Sequence, residues 1–179
     1  MPVHAASRDS RLPLGVDATF DGTGKTVLIT GASSGIGLEA AKQKGLTKSI
    51  GVSNFGVNHL KELIESPLTS VVPAANEVEL SPFLRKDDIV DFCFKRGMAV
   101  IAYSPMARAM RFDHPVLSRI AKAYGVSSAQ VMVRWSMQHG YVPLPKSVRA
   151  ERIAINADVF KFELTPEQMT ALDALDERP

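Results

Sequence analysis

Cysteine, tryptophan and charge of one sign are all scarce in this 179-residue chain, and each scarcity excludes something. The single Cys93 rules out an internal disulfide framework. It lies in the apolar stretch Ile89-Val90-Asp91-Phe92-Cys93-Phe94, which reads as a buried structural thiol and not as a nucleophile. No uninterrupted apolar run approaches the roughly 18 residues that span a bilayer, and Met1-Pro2-Val3-His4 lacks the charged-then-apolar order of a secretory signal. The expectation is a cytoplasmic protein with no membrane partner. Lys and Arg number 21 against 19 Asp and Glu, so the surface is balanced and no nucleic-acid partner is expected. The four histidines are scattered without metal-ligand spacing, which predicts no metal site and only surface or capping roles. What is present, 45% hydrophobic and 22% charged residues, suits a soluble globular domain able to bury about 70% of its unfolded surface.

Residues 1–22 are rich in Ser, Asp, Arg, Pro and Gly without a sustained period, and read as a flexible arm. Beyond them strands and helices alternate. Candidate strands at 26–30, 49–52, 72 to about 78, 98–102 and 142–144 are short, apolar and bounded by turn residues, as expected of strands buried on both faces. Helical spacing joins Leu60, Leu63 and Ile64, then Ile89, Phe92 and Cys93, then Ala129, Met132 and Val133. Gly97 and Gly140 stand where left-handed C-caps belong, and Thr165-Pro166-Glu167-Gln168 carries a capping box with proline at the first helical position. Repeated strand-helix alternation predicts an α/β fold with a parallel sheet and crossover helices. A complete (β/α)₈ barrel needs about 250 residues, so a barrel formed by 179 residues would be incomplete or completed by a partner.

Chemistry in parallel α/β folds sits at the carboxyl ends of strands. Polar residues collect there: Ser53-Asn54, Asn76-Glu77 with Glu79, Tyr103-Ser104, and Lys146-Ser147. Lys146, Ser147, Arg149 and Arg152 surround the start of a helix whose amides favour an anion, the chemistry of a phosphomonoester site.

The runs Lys48-Ser49-Ile50-Gly51-Val52-Ser53-Asn54-Phe55, Asn76-Glu77-Val78-Glu79-Leu80-Ser81-Pro82, Ile101-Ala102-Tyr103-Ser104-Pro105-Met106-Ala107-Arg108 and Pro145-Lys146-Ser147-Val148 resemble the carboxyl-terminal half of an aldo-keto reductase. The resemblance covers residues 45–178. It implies a partial (β/α)₈ TIM-type barrel, strands five to eight with their helices, occupying residues 45–179. It also implies an oxidoreductase that uses NADP(H) to reduce a small carbonyl substrate. By the same resemblance Ser53 and Asn54 hold the nicotinamide carboxamide and Tyr103 stacks on the ring. Ser104 and Met106 line the pyrophosphate path, Lys146 and Ser147 take the 2′-phosphate, and Arg152 with Asn156 flanks the adenosine end. Glu77 stands where the family usually has a Gln that donates to the carboxamide, and Ile155 where it often has a Glu.

Upstream, Gly24-Lys25-Thr26-Val27-Leu28-Ile29-Thr30-Gly31-Ala32-Ser33-Ser34-Gly35-Ile36-Gly37 resembles the opening strand and glycine turn of a short-chain dehydrogenase/reductase. Residues 23–44 therefore read as one Rossmann-like βα unit. The Tyr, Lys, Asp and His that the aldo-keto reductases use for proton donation have no matching motif, so no catalytic residue is assigned. The alternative is an inactive dinucleotide-binding or partner-binding module. Open barrel edges would also permit self-association.

Overall fold

The computed structural model describes residues 48–67 and 72–177; the expected arm at 1–22, strand at 26–30 and glycine turn fall outside them. The described elements alternate as expected. They are β1 (Gly51–Ser53), α1 (Val57–Glu65), β2 (Ala75–Glu79), α2 (Asp87–Phe94), β3 (Ala99–Tyr103), a short 3₁₀ turn (Ala107–Ala109), α3 (Pro115–Tyr124), α4 (Ser128–Gln138), β4 (Val142–Leu144), α5 (Ala150–Ala157) and α6 (Pro166–Asp173). The strands form one parallel sheet in the order β1-β2-β3-β4, each pairing with its sequence neighbour.

Local chemistry sets the helix ends. Ser127 and Gln130 cap α4 reciprocally, as Thr165 and Gln168 cap α6, where Pro166 occupies the first turn without forfeiting a hydrogen bond. Gly97 and Gly140 carry φ of 69° and 79°, the left-handed exits their positions require. His114 caps α3 by accepting from Val116 N, and His59 Nδ1 accepts from Gly56 N at the start of α1.

Among the described residues, helices cover one face of the sheet. Val52, Val78, Val100 and Ala102 are buried there against Leu60, Cys93, Leu117, Met132 and Trp135. The opposite face corrects the expectation of strands buried on both sides. Its registered row Ser53, Glu77, Ile101, Val142 and the next row Glu79, Tyr103, Leu144 run from half-buried to exposed. The apolar composition reflects strands that would line a closed barrel, and four described strands do not close one. β2 and β3 also begin later than the apolar run predicts, at Ala75 and Ala99, because Val72 is exposed and Met98 is buried ahead of the ladder.

The last helix is clamped to the body through Asp173. Its Oδ1 accepts from Trp135 Nε1 at 2.7 Å and lies 2.8 Å from His139 Nε2, while Arg85 approaches Oδ2 at 3.4 Å.

Candidate functional site

The ends of β1, β2 and β3 converge on one hydrogen-bonded chain. Asn54 turns out of β1 with a φ of 59°, a conformation Asn tolerates better than most residues, and its N–H donates to the Glu77 carbonyl at 2.8 Å. Ser53 Oγ donates to the same carbonyl at 3.2 Å, and Asn54 Nδ2 donates to Ser53 Oγ at 3.2 Å. From β3 the Tyr103 hydroxyl reaches across and donates to Asn54 Oδ1 at 3.0 Å. Ser53 and Asn54 are exposed and Tyr103 is half-buried, so the chain of donors and acceptors faces an approaching ligand while fixed from beneath.

What fixes it is Asn76, a residue the sequence places at a strand end but gives no role. It is fully buried on the helix-covered face. Its Nδ2 donates to Phe55 O at 2.9 Å and its Oδ1 accepts from Phe55 N at 3.4 Å, pinning the turn that carries Asn54. The legible signal is register: Asn76 alternates with Val78 on the inward side of a strand, where an amide needs partners. Cys93 Sγ lies 3.9 Å from Asn76 Nδ2. Burial pushes that thiol's pKa up, only partly offset by the Asn76 bond and the Arg96 charge, which keeps it inert.

Glu77 projects onto the open face from the position between Ser53 and Ile101. Glu79, on the same face, approaches Arg108 at 3.4 Å. Beyond β3 the backbone is strained: Ser104, Ala107, Arg108 and Ala109 have φ between 45° and 63°, each without glycine's freedom. Met106 packs half-buried beneath this turn.

At the end of β4 the arrangement differs. Lys146, Arg149 and Arg152 are exposed, and none is ion-paired with a described acid. Ser147 Oγ accepts from Arg149 N at 3.2 Å, which orders the approach to α5. Asn156, one turn beyond Arg152, is buried at 8% exposure. The structure thus joins Ser53, Asn54 and Tyr103 directly and leaves the Lys146 group hydrogen-bonded to none of them among the described residues. Tyr141, one of the two other tyrosines, has its phenol pushed to about 12 by burial and holds its proton; the Tyr124 hydroxyl lies 2.7 Å from Glu163 O and 2.8 Å from Gln168 Oε1, its one proton shared between these two acceptors.

Residues 36–177 match the profile of the Aldo/keto reductase family. The chain belongs to that family. It is 41% identical over 140 residues to the uncharacterized oxidoreductase YtbE of Bacillus subtilis, and 43% identical over 143 residues to the glyoxal reductase of the same bacterium. These alignments cover 78% and 79% of this chain but 49% and 51% of the relatives, so this aldo/keto reductase chain spans about half the length of the curated proteins it matches. Among solved structures, a Gox0644 variant in complex with NADPH superposes with a TM-score of 0.76 at 33% identity, covering 82% of this chain and 54% of its own. A Bombyx mori aldo-keto reductase in complex with NADP gives 0.71 at 35% identity, covering 78% and 48%. The four parallel strands with their helices fit part of a TIM-type barrel. The family match begins at residue 36, inside the stretch 23–44 that the sequence led us to expect as a separate unit.

Proposed function

We propose that this chain is the cofactor-gripping part of an NADP(H)-dependent oxidoreductase that reduces small aldehydes or ketones in the cytoplasm. The observation that carries the reading is the Ser53–Asn54–Tyr103 chain, which offers a donor, an acceptor and an aromatic face at three adjacent strand ends. A nicotinamide carboxamide needs that set, and the exposed cations at β4 suit the 2′-phosphate. Ser53 and Asn54 bind the carboxamide, Tyr103 stacks on the ring, and Ser104 and Met106 border the pyrophosphate. Lys146, Ser147 and Arg152 hold the phosphate, with Asn156 fixing α5 beneath the adenosine. When bound, NADPH supplies the reducing equivalent.

The proton for the carbonyl oxygen comes from outside this set. Tyr103 is hydrogen-bonded to Asn54, Tyr124 to Glu163 and Gln168, and Tyr141 is buried. The family's proton-donating motifs have no match in the 179 residues, which supports the second reading, a dinucleotide-binding module without turnover. Residues 23–44 in this account form a Rossmann-like βα unit ahead of the half barrel, and the open sheet edges support self-association.

Titration of NADPH fluorescence, paired with an assay of NADPH oxidation by a small aromatic aldehyde, separates these readings. Binding with turnover supports the reductase, and binding alone supports the module. Undiminished binding by the Lys146→Ala, Arg152→Ala double variant removes the phosphate assignment.

A further inference from the structure

We propose that Glu77 sets the redox preference of the cofactor site, its carboxylate favouring the oxidised, cationic form of a nicotinamide dinucleotide over the reduced, neutral one. The proposal rests on the cofactor reading above and adds to it a residue that reading leaves without a part.

The placement comes from the sheet. Asn76 and Val78 are buried on the helix-covered side, and strand alternation turns Glu77, between them, to the opposite face, where it is half-buried. There it lies in register with Ser53 on one side and Ile101 on the other, while Tyr103 pairs with Glu79, two residues further along β2. Glu77 is thus directly beside the serine of the polar chain and one diagonal step from the aromatic residue. Its main chain holds that polar chain in place, because the Glu77 carbonyl accepts from Asn54 N at 2.8 Å and from Ser53 Oγ at 3.2 Å. One residue therefore addresses the same ligand end twice: its carbonyl fixes the hydrogen-bonding groups, and its carboxylate adds a charge beside them.

The two carboxylates on this face are not equivalent. Glu79 lies 3.4 Å from Arg108, and the opposite charges of that pair cancel much of its field at a distance. Glu77 is the one in register with Ser53. The two forms of the dinucleotide share the carboxamide, riboses and phosphates and differ at the ring, which is positively charged when oxidised and neutral when reduced. Hydrogen bonds to the shared carboxamide stabilise both forms alike, whereas a negative charge in a half-buried position stabilises only the cation. By linkage, tighter binding of the oxidised form makes the bound reduced form a stronger hydride donor.

Isothermal titration calorimetry of NADP+ and NADPH at neutral pH gives the ratio of their dissociation constants, in which the phosphate contacts common to both forms cancel. Glu77→Gln keeps the side-chain length and an acceptor oxygen but removes the charge. NADP+ should then bind more weakly and NADPH more tightly, shifting the ratio about tenfold, equivalent to about 30 mV in the two-electron potential of the bound couple. Glu77→Asp keeps the charge and should hold the ratio within about twofold of the parent chain. Glu163→Gln, which removes an exposed acid from the segment before α6, should leave the ratio unchanged. Circular dichroism verifies that each variant is folded. Binding of both forms with a ratio unmoved by Glu77→Gln, or moved as far by Glu77→Asp or Glu163→Gln, overturns the proposal while leaving the cofactor reading intact. Failure of the parent chain to bind either form removes the cofactor reading and this proposal with it.

Discussion

The two ends of the candidate cofactor rim are built by opposite means. At β1 to β3 the functional groups are tied to one another and to a buried amide: Tyr103 to Asn54, Asn54 to Ser53, and Asn76 to the turn that carries them. At β4 and α5 the cations Lys146, Arg149 and Arg152 stand exposed without a described acid beside them. The first end selects by geometry, because its donors and acceptors are fixed before a ligand arrives. The second attracts by charge and acquires order from the ligand. On the proposed reading, orientation and affinity fall to different strands of one sheet.

The sharpest way to break this contrast is Asn76→Leu. It strands Phe55 N–H and C=O in the interior, and should cost about 3 kcal/mol of stability with a fall in Tm near 8 °C. Thermal melts followed by circular dichroism read the first loss. NADPH titration of the folded protein at low temperature should show a further loss of affinity, because Asn54 is no longer held. Next in size, the Lys146→Ala, Arg152→Ala double variant should weaken NADPH binding about 100-fold and flatten its dependence on salt, with the melt nearly unmoved. A large drop in Tm there would erase the distinction between the two ends.

Smaller still, Tyr103→Phe keeps the ring and removes one hydrogen bond, so binding should weaken about fivefold with no change in salt dependence. The smallest effect is expected at Glu77→Gln, which restores a donor beside the carboxamide and should tighten NADPH about threefold. A fluorescence titration in which Glu77→Gln weakens binding would show that the carboxylate is itself a ligand-contacting acceptor.

The sequence was most legible where a residue type has one physical use. Gly97 and Gly140 exit helices with positive φ, Thr165 and Gln168 cap α6, and β4 is found at Val142–Leu144, where its apolar run ends in turn residues. It misled where composition stands for a larger assembly. Ile101, Val142 and Leu144 are apolar as barrel-lining residues are, yet their face is open among the described strands. Within the site, residue types placed Ser53, Asn54 and Tyr103 on one rim, but not the order of their hydrogen bonds. Register with Val78 marks Asn76 as an inward amide in need of partners, but which partners it finds depends on a contact between β2 and the loop after β1, 21 residues apart. Burial of Asn156 on the body side of α5 was equally invisible without the helix axis.

One consequence of the ladder order concerns assembly in time. Every described strand pairs only with the described strand before or after it in the chain, so no described pairing skips a strand. Such a sheet can zip from either end, one βα unit at a time. A severed or rejoined chain keeps all the pairings on its own side of the cut. The fold therefore behaves less like a vault that falls without its keystone than like a row of tiles, in which the point of interruption decides only how much of the rim is laid.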